Sequence, residues 1–101
     1  MSIENSLGIT YIKTSCEVQT QYPIDETFYT NYIDIEIALK SKMLDYEEFK
    51  EFVKGLSGKQ MVIEDVVYNV FNYLTELAPR HLIVTSNVNI NGVPISVTKE
   101  G

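Results

Sequence analysis

Between residues 27 and 39, Tyr29, Ile33, Ile35, Ile37 and Leu39 recur at every second position or multiples of it, with Thr30, Asp34 and Glu36 between them. Period-two alternation predicts a long strand with one buried face. Residues 8–18 carry Ile9, Tyr11, Ile12, Thr14, Cys16 and Val18 and predict an earlier strand. Pro23 and Asp25 mark 19–26 as the loop between them.

The period then lengthens. Asp45 and Glu48 make a D-x-x-E start, and Tyr46, Phe49, Phe52, Val53 and Leu56 follow at helical spacing until Gly58. A second helix is predicted over 62–77, where Ile63, Val66, Val67, Val70, Phe71, Leu74 and Leu77 trace one apolar face and Pro79 supplies the stop. Residues 81–90 return to strand composition. Asn91-Gly92 then signals a tight hairpin into 93–98, and Pro94 demotes that last strand to an edge or irregular position.

Two strands, two helices and two strands, with no repeat or linker, predict a single α+β domain over residues 1–101, a ββααββ unit whose helices cover one face of a four-stranded antiparallel sheet. Residues 1–7 are expected to be disordered or extended. Four strands leave two edges, which invites copies to join side by side into an oligomeric barrel, with sites at subunit interfaces. A chain of 101 residues has room for only a modest core, which adds to that expectation.

Composition narrows the function. The hydrophobic share of 45% and charged share of 22% are those of an ordinary globular domain. A net charge of −6 and a pI near 4.6 argue against a nucleic-acid partner, since that affinity comes largely from Lys and Arg displacing counterions. No run approaches the ~18 apolar residues of a membrane span, and the first residues have no leader pattern, so the cytoplasm is the expected location. Lys40, Lys42, Lys50, Lys54 and Lys59 read as solvated charges balancing nearby acids. No phosphate loop, H-E-x-x-H or G-x-S-x-G is present, and a lone cysteine makes no zinc cluster, so no metal is expected.

Four residues remain as candidate chemistry. Cys16 is either a small packing residue or a nucleophile, and Asp25 either a turn residue or an acid–base group for that thiol. Glu64, beside Asp65, is either a helix-dipole acid or a carboxylate that accepts two parallel N–H bonds from a flat nitrogen-rich ring. His81 is a possible auxiliary acid or a structural histidine. Tyr11, Tyr22, Phe28, Tyr29 and Tyr32 read either as core and interface or as stacking surface.

In order, Ser15-Cys16, Pro23-x-Asp25, Asn31-Tyr32-Ile33-Asp34, Glu47-Glu48-Phe49-Lys50, Gly58-Lys59, Ile63-Glu64-Asp65 and Ala78-Pro79-Arg80 resemble the tunnelling-fold (T-fold) superfamily. The likeness spans about 14–98 and is greatest to the QueF nitrile reductases and the QueF-like (archaeosine) amidinotransferases. It implies a ring of ββααββ subunits, a pentamer or decamer, binding 7-cyano-7-deazaguanine (preQ0) or a relative between subunits. It also implies that Cys16 adds to the nitrile as a thioimide, that Asp25 handles protons, and that Glu64 anchors the guanine-like edge.

The sequence departs from the family in places. Asp25 follows Cys16 by nine residues instead of seven, with Ile24 between it and Pro23, and Ile63 stands where a histidine usually precedes the anchoring glutamate. Glu36-Ile37-Ala38-Leu39-Lys40-Ser41-Lys42 only partly echoes the reductase's nicotinamide stretch, and Asn91-Gly92-Val93 has no arginine. The resulting expectation is an enzyme of 7-deazaguanine metabolism acting on preQ0 or a 7-substituted relative through Cys16, without NADPH or another cofactor. The alternatives are a preQ0-tRNA amidinotransferase, a pterin-binding enzyme similar to dihydroneopterin aldolase, and a non-catalytic ligand-binding or assembly protein.

Overall fold

The computed structural model describes Ser2–Glu4 and residues 8–101. The main sheet takes β2 (Thr10–Gln21), β3 (Phe28–Leu39), β5 (His81–Ile90) and β6 (Val93–Glu100) in the order β2-β3-β5-β6, every pair antiparallel. Two helices, α1 (Tyr46–Leu56) and α2 (Ile63–Thr75), pack on one face of it. A small ribbon pairs β1 (Ser2–Glu4) with β4 (Lys42–Leu44), elements that three-residue stretches without alternation do not announce. Met1 and residues 5–7, part of the segment expected to be disordered or extended, lie outside the described residues.

Alternation sorts the sheet into two faces. Ile33, Ile35, Ile37 and Leu39 of β3 and Leu82 and Val84 of β5 meet Val66, Val70 and Leu74 of α2 in a fully buried core, and Phe49, Val53 and Leu56 of α1 close it. α1 starts as its sequence predicts, the Asp45 carboxylate accepting from the Glu48 backbone N–H at 3.1 Å. Asn91 and Gly92 both adopt positive φ, 52° and 83°, the backbone that the hairpin turn requires.

β2 runs three residues past the predicted end, taking residues 19–21 from the expected loop. The connection between the helices explains the extension. The Gly58 N–H donates to the Gln19 carbonyl at 2.8 Å, Gln21 N–H to Lys59 at 2.9 Å, and Met61 N–H to Gln21 at 3.0 Å. Those contacts hold the far third of this edge strand in extended form and place the start of α2 beside its end.

One polar group lies among the buried apolar ones. The Asn31 amide donates to the Val18 carbonyl at 3.1 Å and to Thr20 Oγ1 at 2.9 Å, and accepts from Ser86 Oγ at 3.3 Å. Three strands are thereby tied at one level, and no described buried side-chain polar atom is left unpaired.

Candidate functional site

Cys16 sits mid-way along β2, opposite Ile33, on the helix-covered face. Its half-buried side chain packs against the core cluster, and burial, with the nearby Asp34 charge adding to it, pushes the thiol from 9.0 up to about 11. A thiol held there is overwhelmingly protonated at neutral pH. Nucleophilic attack needs the thiolate, so this environment opposes it.

Asp25 lies in the turn of residues 22–27. Its Oδ1 accepts from the Thr27 N–H at 3.0 Å and its Oδ2 from the Tyr29 hydroxyl at 3.0 Å. The Thr27 backbone bond, with the Tyr29 bond helping, holds its carboxyl below the usual range. Tyr29 in turn makes an edge-on contact with Tyr22, centroids 5.9 Å apart. Asp25 is therefore a turn-forming carboxylate in this subunit, roughly 17 Å along the strand direction from the Cys16 level, taking five residues of β2 at ~3.4 Å each.

Glu64 occupies the first turn of α2, which begins two residues after the Met61–Gln21 bond. It is exposed, and its carboxylate has no hydrogen bond or ion pair to a side chain or backbone group among the described residues. Exposed Tyr68 follows one turn later on the same side of the helix. That aromatic had no signal in the sequence beyond its i+4 spacing from Glu64.

His81 points from the other face of the sheet. Its Nε2 lies 3.0 Å from Glu36 Oε2, and Lys13 Nζ lies 3.3 Å from Glu36 Oε1, a chain linking β2, β3 and β5. The His81 bond first, and Lys13 second, hold the Glu36 carboxyl below its ordinary value. Along the same open face Asn87 donates to Asp34 at 3.3 Å and is bonded to Ser96, while the Thr85 and Thr98 hydroxyls meet at 2.9 Å. Register accounts for them: Lys13 faces Glu36, Thr85 faces Thr98 and Asn87 faces Ser96, while Glu36–His81 and Asp34–Asn87 are diagonal neighbours on the same face. The outward half of the alternation carried that information, which a search for apolar positions passes over.

The subunit thus separates the four candidates. Cys16 lies on the helix side at mid-strand, Asp25 and Glu64 lie toward the end of the sheet where β2 finishes, and His81 lies on the opposite face. Among the described residues no cluster of three or more His, Cys, Asp or Glu is placed to hold a metal ion, and no helix is long and apolar enough to cross a membrane.

No family model and no curated protein matches the sequence. Among solved structures, the archaeosine synthase QueF-Like in its apo form superposes with a TM-score of 0.82, covering 96% of this chain and 96% of that one at 22% identity. The chain shares the fold of that structure, a ββααββ T-fold. At that identity the likeness is one of architecture: the ββααββ order, the antiparallel sheet and the helices on one face are the shared features.

Proposed function

We propose that this is a QueF-like T-fold protein of 7-deazaguanine metabolism that recognises preQ0 or a 7-substituted relative between subunits, with Glu64 accepting paired N–H bonds from the guanine-like edge. The observation that carries the reading is an exposed carboxylate with no internal partner at the start of α2, on the fold of an archaeosine synthase. Dipole stabilisation alone would be met equally by Asp65 next to it, whereas bidentate recognition needs one free carboxylate with room around it.

Recognition without covalent catalysis is the form of this reading that the geometry supports best. Cys16 is held as a neutral thiol against the core, and Asp25 is committed to Thr27 and Tyr29. The reading calls for no NADPH, because Glu36, which opens the partial echo of the nicotinamide stretch, is engaged by Lys13 and His81. Self-association into a pentamer or decamer supplies the second wall of the site, since one subunit leaves Glu64 open to solvent.

Calorimetry with preQ0, neopterin and guanine tests recognition, and intact-mass measurement of the same samples tests chemistry. Expected are saturable binding of preQ0 in preference to neopterin, a loss of at least tenfold in affinity in Glu64→Gln, and no mass gain at pH 7. Stabilisation by neopterin alone would transfer the reading to the pterin class. A mass gain of one preQ0 that vanishes in Cys16→Ala would restore thioimide chemistry and overturn recognition alone.

A further inference from the structure

Of the described asparagines only Asn91 precedes a glycine, whereas Asn31, Asn69, Asn72, Asn87 and Asn89 precede Tyr, Val or Ile. That neighbour matters chemically. The backbone nitrogen of the following residue can attack an asparagine's side-chain amide carbon, and a glycine there leaves the approach free of a side chain. Asn91 and Gly92 are both exposed, at the tip of the hairpin between β5 and β6, so water reaches them.

Two features of the folded turn oppose that attack. The first is the backbone: Asn91 holds a φ of 52°, and in the left-handed region the following nitrogen is swung to the side away from Cβ, out of reach of Asn91 Cγ. The second is a side chain. The Gly92 N–H donates to Asn89 Oδ1 at 2.9 Å. Gly92 N must shed that proton to become a nucleophile and must turn away from Asn89 to meet Cγ, and the bond resists both. Asn89 is itself exposed, opposite Pro94, and its side chain makes no other hydrogen bond among the described residues.

We propose that Asn91-Gly92 is a site of spontaneous modification to aspartyl and isoaspartyl forms, and that the Asn89 side chain is the latch that holds it back in the folded hairpin. The Gly92 nitrogen gives its proton to solvent and bonds to Asn91 Cγ, the bond from Cγ to the side-chain nitrogen breaks, and ammonia leaves. Water then opens the cyclic imide at either carbonyl, so the net change is water consumed and ammonia released, with no redox step. Opening at one carbonyl gives aspartate; opening at the other routes the backbone through the side chain and lengthens a two-residue turn. Either product adds a negative charge at the end of β6. The site is separate from Glu64 and does not depend on the base-binding reading.

Incubation of the full chain at mildly alkaline pH, followed by proteolysis and mass spectrometry of the peptide holding residue 91, tests it, with circular dichroism confirming that each variant is folded. Folded wild type is expected to convert at least tenfold more slowly than wild type held in guanidinium chloride. Asn89→Ala is expected to convert roughly fivefold faster than wild type, the worth of one hydrogen bond. Asn89→Asp keeps an acceptor for the Gly92 N–H and should stay at the wild-type rate. Asn91→Gly, which tolerates the positive φ, should abolish conversion in that peptide. Thr98→Ala removes the 2.9 Å bond to Thr85 elsewhere between the same strands and should leave the rate unchanged, which separates the latch from general weakening of the hairpin. If Asn89→Ala does not fold, the comparison of folded with denatured wild type and the rate of Asn89→Asp decide the matter. Equal rates in folded and denatured wild type, a folded Asn89→Ala no faster than wild type, an Asn89→Asp faster than wild type, or equal acceleration by Thr98→Ala would each overturn the proposal.

Discussion

Individual side chains here are governed by which face of a strand they occupy. Cys16 and Glu17 are neighbours in sequence, yet one is drawn into the core contact and the other faces solvent, because successive strand residues point to opposite sides. The consequence for Cys16 is chemical. Its alkylation by iodoacetamide should be much slower at pH 7.5 than that of an unstructured thiol and should climb as pH rises toward about 11, the value to which burial pushes it; a fast reaction at neutral pH would contradict that environment. Glu36 behaves in the opposite sense. Its folded value lies below its ordinary 4.5, so its stabilising contribution is complete above that value and is lost as pH falls through the lowered one. Urea titrations between pH 5 and 3 should therefore show wild type losing stability more steeply than Glu36→Gln.

Elements differ in how openly the sequence announces them. α1 is legible because both its cap and its apolar stripe are local: Asp45 binds the Glu48 N–H, and Asp45→Ala should cost about 1 kcal/mol in urea unfolding at neutral pH. β3 is equally legible from its alternation, and the last hairpin from Asn91-Gly92. The end of β2 is not, because Gln19 and Gln21 are extended through hydrogen bonds to residues 58–61, contacts that no local window contains. β1 and β4 fail for the same reason, each existing only through the other. Asn31 shows the limit within a readable strand. It occupies a core position in the apolar register, and its amide is satisfied only by Val18, Thr20 and Ser86, residues distant in sequence. Asn31→Leu would remove one partner and leave the Thr20 and Ser86 hydroxyls buried, so a loss of roughly 1–3 kcal/mol is expected, read as a lower urea midpoint. The candidate site divides along the same line: Glu64 could be singled out from its helix position, whereas the Lys13–Glu36–His81 chain required the strand register.

At the scale of the whole molecule, the two sheet edges decide what one subunit can do. Leu82 and Gly101 exchange backbone bonds at 3.2 and 3.0 Å, so by alternation Ser96, Thr98 and Glu100 turn their backbone groups outward along β6. On β2 the Gln19 and Gln21 groups face outward to residues 58–61, which puts Tyr11, Lys13, Ser15 and Glu17 on the same outward side with no described strand beside them. Two open rows on opposite edges fit head-to-tail joining of copies, the arrangement that closes into a ring. With −6 per copy, such joining works against Coulomb repulsion, and added salt should favour it. Light scattering coupled to size exclusion is expected to give a mass several times 11.5 kDa, rising with salt where dissociation is seen. Thr98→Pro should reduce that mass to the single chain while leaving the fold intact, because proline deletes an outward N–H and leaves the bonds to β5 in place. Thr98→Ala keeps the N–H and should remain assembled. A folded Thr98→Pro that kept the wild-type mass would move assembly away from β6, and with it the second wall proposed for the Glu64 site.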